Sequence, residues 1–337
     1  MKKFCLYEDC KIVLGYNRAM IYDFGRNEYY PIPISLAKII NKYNKKQSID
    51  YVVNKYQKEY RKTIKEYFDF LFTKESIFQT ETPELYLELS LEYDTYSIIN
   101  TIILEYSVLI DLKKLESLIN SLNVEEIELK ISNISDLDIV LSKLNTSKLA
   151  SIVLVIKYSK QLSKFFFLNL KHKYKKITQI IIYLAPFDKF YYLEEYKITK
   201  VSFIKTSLSF FDNLVRPSIF RVNINFFTEA LKYNSYYHNK LFIDSSGYII
   251  DSFTKRKRLK NLLEIKDYLR LDKINVLSFI NKDNISICKD CEYRYMCVDP
   301  RIPKQNKEKK WYSENDCGYN PYIAKWKGQK GWLSTKQ

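Results

Sequence analysis

Two histidines in 337 residues leave little imidazole for proton transfer, so acid–base chemistry would fall to carboxylates or lysines. No Ser/His/Asp set stands out, and no pair of carboxylates does. The chain also lacks the G-x-x-x-x-G-K-[ST] loop of an ATP site. No apolar run reaches the ~18 residues that a bilayer span needs. The opening residues, "MKKFCLYEDCKIVLGYNRAM", lack the unbroken apolar stretch of a secretory signal. The expectation is a cytoplasmic chain with no membrane partner. Thiols stay reduced there, so clustered cysteines point to metal rather than disulfide.

What is abundant is lysine. Lys and Arg number 55 against 39 Asp and Glu, a net charge of +16. The lysines are spread through the whole chain beside many Ile, Asn and Tyr, a mixture that looks like AT-rich coding bias. Nucleic acid is therefore not the expected partner. The densest basic run, Lys255–Lys260, reads as a solvated loop, or else as a patch for an acidic peptide or phosphate. Hydrophobic residues make up 46%, enough for a sizeable core.

The pattern divides the chain into three. Residues 1–80 read as short strands broken at Gly15 and at Gly25-Arg26-Asn27, followed by three helices, the second capped by Ser48. "TKESIFQTETPE" closes this unit as an extension and turn. Residues 81–225 alternate Ile/Val/Leu-rich strands with helices, which indicates a parallel sheet under a helical cover. Asp111 and Ser135 are the expected caps of two of those helices, and "KVSFIKTS" and "FRVNINFF" read as the last two strands. Residues 226–337 are turn-rich and hold four of the six cysteines. The expected fold class is α/β: a partial (β/α) barrel-like middle, a small α+β, winged-helix-like N-terminal domain, and a cysteine-rich C-terminal domain.

Three of those cysteines form Cys288-x2-Cys291-x5-Cys297, and Cys317 follows. Two thiolates separated by two residues grip one metal centre through a tight turn, and the others complete tetrahedral sulfur coordination. The set suits either structural zinc or a [4Fe–4S] cluster. Binding would also stabilise a segment with little core of its own.

Here a resemblance begins. "CEYRYMC" and "CGYNPY" resemble the C-terminal SPASM domain of peptide-modifying radical SAM proteins, and more closely the SPASM-domain peptide maturases of the grasp-with-spasm system. "LGYNRAMIYDFGRNEYYPIP" and "ALKYNSYYHNKLFIDSSGYII" are similar to other stretches of that family. The resemblance implies that Cys288, Cys291, Cys297 and Cys317 hold one auxiliary [4Fe–4S] cluster. A second cluster of the wider SPASM group would need one cysteine before Gly247, one five residues after it and one just beyond the C-x5-C pair, where this chain has Tyr236, Ser252 and Pro300. That cluster is expected to be lost, and nearby His238 to be an ordinary loop histidine. The C-x3-C-x2-C motif that binds S-adenosylmethionine is also missing. The loop after the first barrel strand reads "LEYSVLIDLKK", and Cys5 and Cys10 have the wrong spacing.

The resemblance implies a maturation factor for a ribosomally made peptide that binds the precursor leader and works beside an ATP-grasp ligase. A non-catalytic escort or scaffold is the favoured form, with outer-sphere redox transfer through the cluster as the other. Residues 1–80 match a precursor-recognition element. Tyr29, Tyr30 and the apolar face of the third helix are the candidate leader contacts, or simply the filling of a small core. The alternative to the whole reading is a zinc-stabilised, basic nucleic-acid-binding protein without catalytic activity.

Overall fold

The computed structural model describes residues 1–95, 97–194, 198–207, 215, 217, 220–250, 258–259, 276–313 and 317–335. The chain opens with strand β1 (Lys3–Leu6) and a meander of β2 (Cys10–Leu14), β3 (Ala19–Asp23) and β4 (Glu28–Ile32). Helices α1 (Ile34–Tyr43), α2 (Ile49–Lys55) and α3 (Lys58–Thr73) follow, then β5 (Ile77–Thr80). Ser48 caps α2 by accepting the Tyr51 N–H at 3.2 Å. On α3, Ile64, Phe68 and Leu71 recur at helical spacing and are buried. The stretch expected as an extension is β5, which pairs antiparallel with β1. Strand β3 is buried on both faces. Ala19 and Ile21 meet the helices, whereas Met20 and Tyr22 meet residues of the C-terminal segment.

The middle is a nine-stranded open sheet. Six of its strands are parallel to their neighbours: β6 (Thr101–Glu105), β7 (Glu126–Ile131), β8 (Ser151–Lys157), β9 (Ile177–Tyr183), β11 (Lys200–Phe203) and β12 (Lys240–Ile243). They stand in the order β11-β9-β8-β7-β6-β12. Strand β10 (Lys189–Tyr192) adds antiparallel at one edge, and β13 (Ile249–Ile250) and β14 (Arg258–Leu259) at the other. The fold is thus a mixed α/β one. Because β12 pairs with β6, the sheet draws on residues on both sides of position 225. Of the basic run at 255–260, only Arg258 and Leu259 lie within the described residues.

Helices α4 (Leu112–Leu122), α5 (Leu137–Thr146) and α6 (Lys164–Lys173) bury their apolar residues with those of one sheet face. Asp111 caps α4 as expected, taking the N–H groups of Lys113 and Lys114. Ser135 does not cap α5. Asn133 accepts the Ser135 N–H at 3.3 Å instead and opens a 3-10 turn that runs into the helix. A second expectation fails at "FRVNINFF". Asn223 accepts the Phe226 N–H at 2.8 Å and starts helix α7 (Ile224–Lys232). Phe226, Phe227 and Ala230 then face inward at helical spacing.

The C-terminal segment has little regular structure: β15 (Pro303–Gln305) with β16 (Trp311–Ser313), and β17 (Tyr319–Asn320) with β18 (Lys325–Trp326). Its core is shared. Tyr293, Tyr295, Met296, Cys297 and Tyr319 pack with Val13, Met20 and Tyr22 of the N-terminal meander and with Phe220 and Phe227. Among the described residues, no helix is long and apolar enough to cross a membrane.

A candidate metal centre

The cysteine loop is shaped by local turns. Ile287 enters it at φ 69, ψ −48, an uncommon region for a β-branched residue. Cys288 starts a 3-10 turn that the Cys291 N–H closes on the Cys288 carbonyl at 3.0 Å. The Met296 N–H then bonds the Tyr293 carbonyl at 3.1 Å, which brings Cys297 back towards Cys291. Gly318, at φ 78, turns the chain after Cys317 so that the Tyr319 N–H points at the Cys317 sulfur, 3.4 Å away. The outcome is that Cys288, Cys291, Cys297 and Cys317 all line one cavity. It has about 30 Å³ accessible to the centre of a water molecule.

Burial sets the charge state of these thiols. It pushes Cys288 up to about 11, and Cys291 and Cys297 further up. Left alone they are inert buried thiols. Two buried cations oppose that. Arg301 pairs with Asp299 at 2.7 Å and reaches the Cys288 sulfur at 3.9 Å. The Lys282 ammonium donates to the Cys297 carbonyl at 2.6 Å. Arg294 also lines the cavity, and the carboxylates of Asp299 and Glu292 act the other way, so three cations face two carboxylates around the thiols.

That donor set fits an iron–sulfur cluster: four sulfurs, an enclosed apolar wall, cationic support, and an N–H directed at one sulfur. Four thiolates suit structural zinc as well. Among the described residues no group of three or more His, Cys, Asp or Glu side chains is already arranged to hold a metal ion.

The wall behind the cavity is the N-terminal meander. Gly15 lies so close to Glu292 that a Cβ there would meet its backbone nitrogen and its Oε2 at 2.9 Å. The Tyr16 N–H donates to the Asp290 carbonyl at 2.8 Å, and Arg294 donates to the Leu14 carbonyl at 2.6 Å. Glu292, fully buried, accepts from Arg18 Nε at 2.5 Å and from the Tyr319 hydroxyl. Tyr22 donates to the Glu292 carbonyl at 2.7 Å. One β-turn and one cysteine loop are thereby joined through a buried ion pair. Sequence reasoning missed Arg18, Lys282, Glu292 and Arg301. Each is a single charged residue in a lysine-rich chain, with no spacing to mark it.

The remaining candidate residues are dispersed. Tyr30 is buried in the helix-side core, and its hydroxyl bonds Ser76 Oγ. Tyr29, its neighbour on the opposite face, is half-buried against Phe220 and Tyr293. Tyr30 thus fills packing space, whereas Tyr29 is partly accessible. Tyr236 packs on Tyr237 and Phe242, and the Tyr237 hydroxyl donates to the Pro300 carbonyl. Positions 236 and 300 are therefore linked through an aromatic cluster. Ser252 lies outside the described residues. Gly247, at φ 79, turns the β12–β13 hairpin. His238 is buried, bonded to Glu229 at 3.1 Å and stacked on Tyr233 at 3.7 Å. Cys5 and Cys10 are buried on β1 and β2 and do not line the cavity of the other four cysteines.

No protein-family model matches this sequence, and no curated protein does. Among solved structures, two crystal structures of Streptococcus suis SuiB align with 87% of this chain and 94% of theirs. One of them is bound to S-adenosylmethionine. Identities are 13% and 12%, and TM-scores 0.30 and 0.29. Likeness that slight transfers neither fold nor function, so the reading below rests on the chain's own residues.

Proposed function

We propose that this chain is a maturation factor for a ribosomally made peptide, with one [4Fe–4S] cluster held by Cys288, Cys291, Cys297 and Cys317. The observation that carries this reading is the meeting of those four thiols in one cavity walled by the N-terminal meander. When bound, the cluster supplies structural cross-linking and outer-sphere electron transfer, since four cysteine ligands leave no iron open to substrate. The chain's own residues do the rest. Lys282 and Arg301 balance the thiolate charge, and Arg18 and Glu292 fasten the meander to the loop. No S-adenosylmethionine is assigned, because the loop after β6 has no cysteine.

Precursor binding falls to the N-terminal domain, over roughly residues 1–80. With Tyr30 inside, the surface left for a leader is the groove of about 420 Å³ beside α2, α3 and β5, where Lys65, Asp69, Phe72 and Gln79 stand. Among the described residues strand β5 pairs with β1 alone, which leaves its other edge for strand addition. The partner ATP-grasp ligase follows from the family resemblance, and the chain acts beside it as escort or scaffold.

The test is a pull-down of the peptide encoded beside the gene, using the full-length chain. Capture that falls at least about tenfold in Phe72→Asp, the loss of one hot-spot contact, supports the reading. No capture by a folded, brown, iron-loaded protein refutes it.

A further inference from the structure

The two faces of the parallel sheet differ in chemistry. The helix-covered face is apolar throughout. The opposite face carries polar side chains that are nonetheless buried: Glu128, Lys130, Gln179 and Ser202. A ladder of register partners crosses it, from Glu128 to Val153, to Gln179, to Lys200. Glu128, Lys130 and Ser202 each have an interaction partner, whereas the Nε2 of Gln179 has none among the described residues, and a buried polar group without a partner costs free energy.

A cavity of about 260 Å³ opens on this face at the first residues of β7, β9 and β11. Asn27 and Tyr29 of the N-terminal meander line it from one side, and Phe220 to Asn223 from another. Its polar groups are not balanced. Glu126 is engaged by Arg221 at 2.6 Å and by Ser151. Lys200 lies over the Phe190 ring and donates to the Pro217 carbonyl at 3.3 Å, and among the described residues it forms no ion pair. Desolvation holds its amine down to about 8. Beside it on β9, the Gln179 side chain is 8% exposed, and its Nε2 has no hydrogen-bond partner. Two donors on adjacent strands, whose backbones run about 4.8 Å apart, thus face one space: among the described residues Lys200 has the Pro217 carbonyl as acceptor and no carboxylate, and the Gln179 Nε2 has no acceptor. Val153, Ile198 and Val222 supply apolar wall.

We propose that this chamber is a carboxylate-binding site, with Lys200 and Gln179 holding the two oxygens and the apolar wall holding a short aliphatic stem. A planar anion with two acceptors matches two donors in one row. The carboxylate arrives either on a peptide, as an acidic side chain, or as a free small diacid. None of the four cysteines lines this cavity, although Phe220 borders both, and the proposal does not rest on the cluster reading.

The test uses the full-length chain and mass-spectrometric measurement of Lys200 acetylation by an activated acetate ester. The probes, with every amino-acid α-carboxyl blocked as its methylamide, are N-acetylglutamate for the peptide-borne group, glutarate for the free diacid, N-acetylglutamine as neutral isostere, and inorganic phosphate. One of the two carboxylates should slow Lys200 labelling severalfold while N-acetylglutamine leaves it unchanged, and the better protector identifies the source. In calorimetry, Lys200→Met and Gln179→Leu should each weaken that probe about tenfold, the loss of one charge-assisted or buried hydrogen bond. Protection by neither carboxylate, equal protection by N-acetylglutamine, protection by phosphate alone, or unchanged affinity in both variants would each overturn the proposal.

Discussion

At the scale of single residues, the account turns on buried charges that are paired and one that is not. Arg18 is the partner of a fully buried Glu292. Arg18→Ala should therefore cost about 3 kcal/mol, the typical penalty for stranding a buried charge. Urea denaturation would show it, and adding Glu292→Gln should restore part of the loss. Lys200 behaves oppositely. Its folded amine titrates at about 8 against an ordinary 10.5. Below 8 the folded state bears the full penalty of a buried ammonium. Between 8 and 10.5 the unfolded chain still binds a proton that the folded chain has released, so stability rises with pH across that window. Lys200→Met should thus stabilise the fold at neutral pH by on the order of 2–3 kcal/mol and flatten that rise. A neutral or destabilising outcome would count against an unpaired amine there. Glu126, Arg221, Tyr29 and Tyr192 line the same cavity and must be kept in the comparison. None of these charges was legible in the sequence, because lysines and glutamates look alike wherever they stand. The four cysteines were legible, since their spacing alone brings attention to one loop.

At the scale of elements, local signals succeeded where they were strong. Ser48 and Asp111 cap the helices expected of them, and the Ile/Val-rich runs became parallel strands. "FRVNINFF" failed because its aromatic and β-branched residues favour a strand by propensity. The decisive signal was Asn223, a helix cap, with the apolar 226, 227 and 230 behind it. Asn223→Ala should cost about 1 kcal/mol, read as a lowered denaturation midpoint. Strand β10 was missed because "KFYY" is short and gains its pairing only from β11. The Gly15 turn makes a sharper case. Sequence marked Gly15 as a break, yet its role is contact: a Cβ would strike the Glu292 backbone. Gly15→Ala should lower stability by about 1–3 kcal/mol, the usual range for overpacking. It should also loosen amide protection in the Cys288–Cys297 loop. Unchanged protection would mean that the meander and the loop are independent.

At the scale of the whole molecule, the N-terminal meander is buried on one face by its own helices and on the other by the cysteine segment. Composition-based boundaries cannot reveal such sharing, because a strand buried on both faces reads the same whichever neighbour supplies the second. The consequence is that metal removal should be felt far beyond the loop. A chelator should lower the thermal midpoint and weaken amide protection in β2 and β3, while β7 to β9 stay protected. The central claim is that four thiols enclose one iron–sulfur cluster. Anaerobic purification with iron, acid-labile sulfide and zinc analysis addresses it most directly. The account predicts about four irons and four sulfides per chain, a visible absorption that bleaches on reduction, and loss of both in Cys291→Ser and Cys317→Ser. One zinc without sulfide, or iron content untouched by either serine substitution, would contradict it.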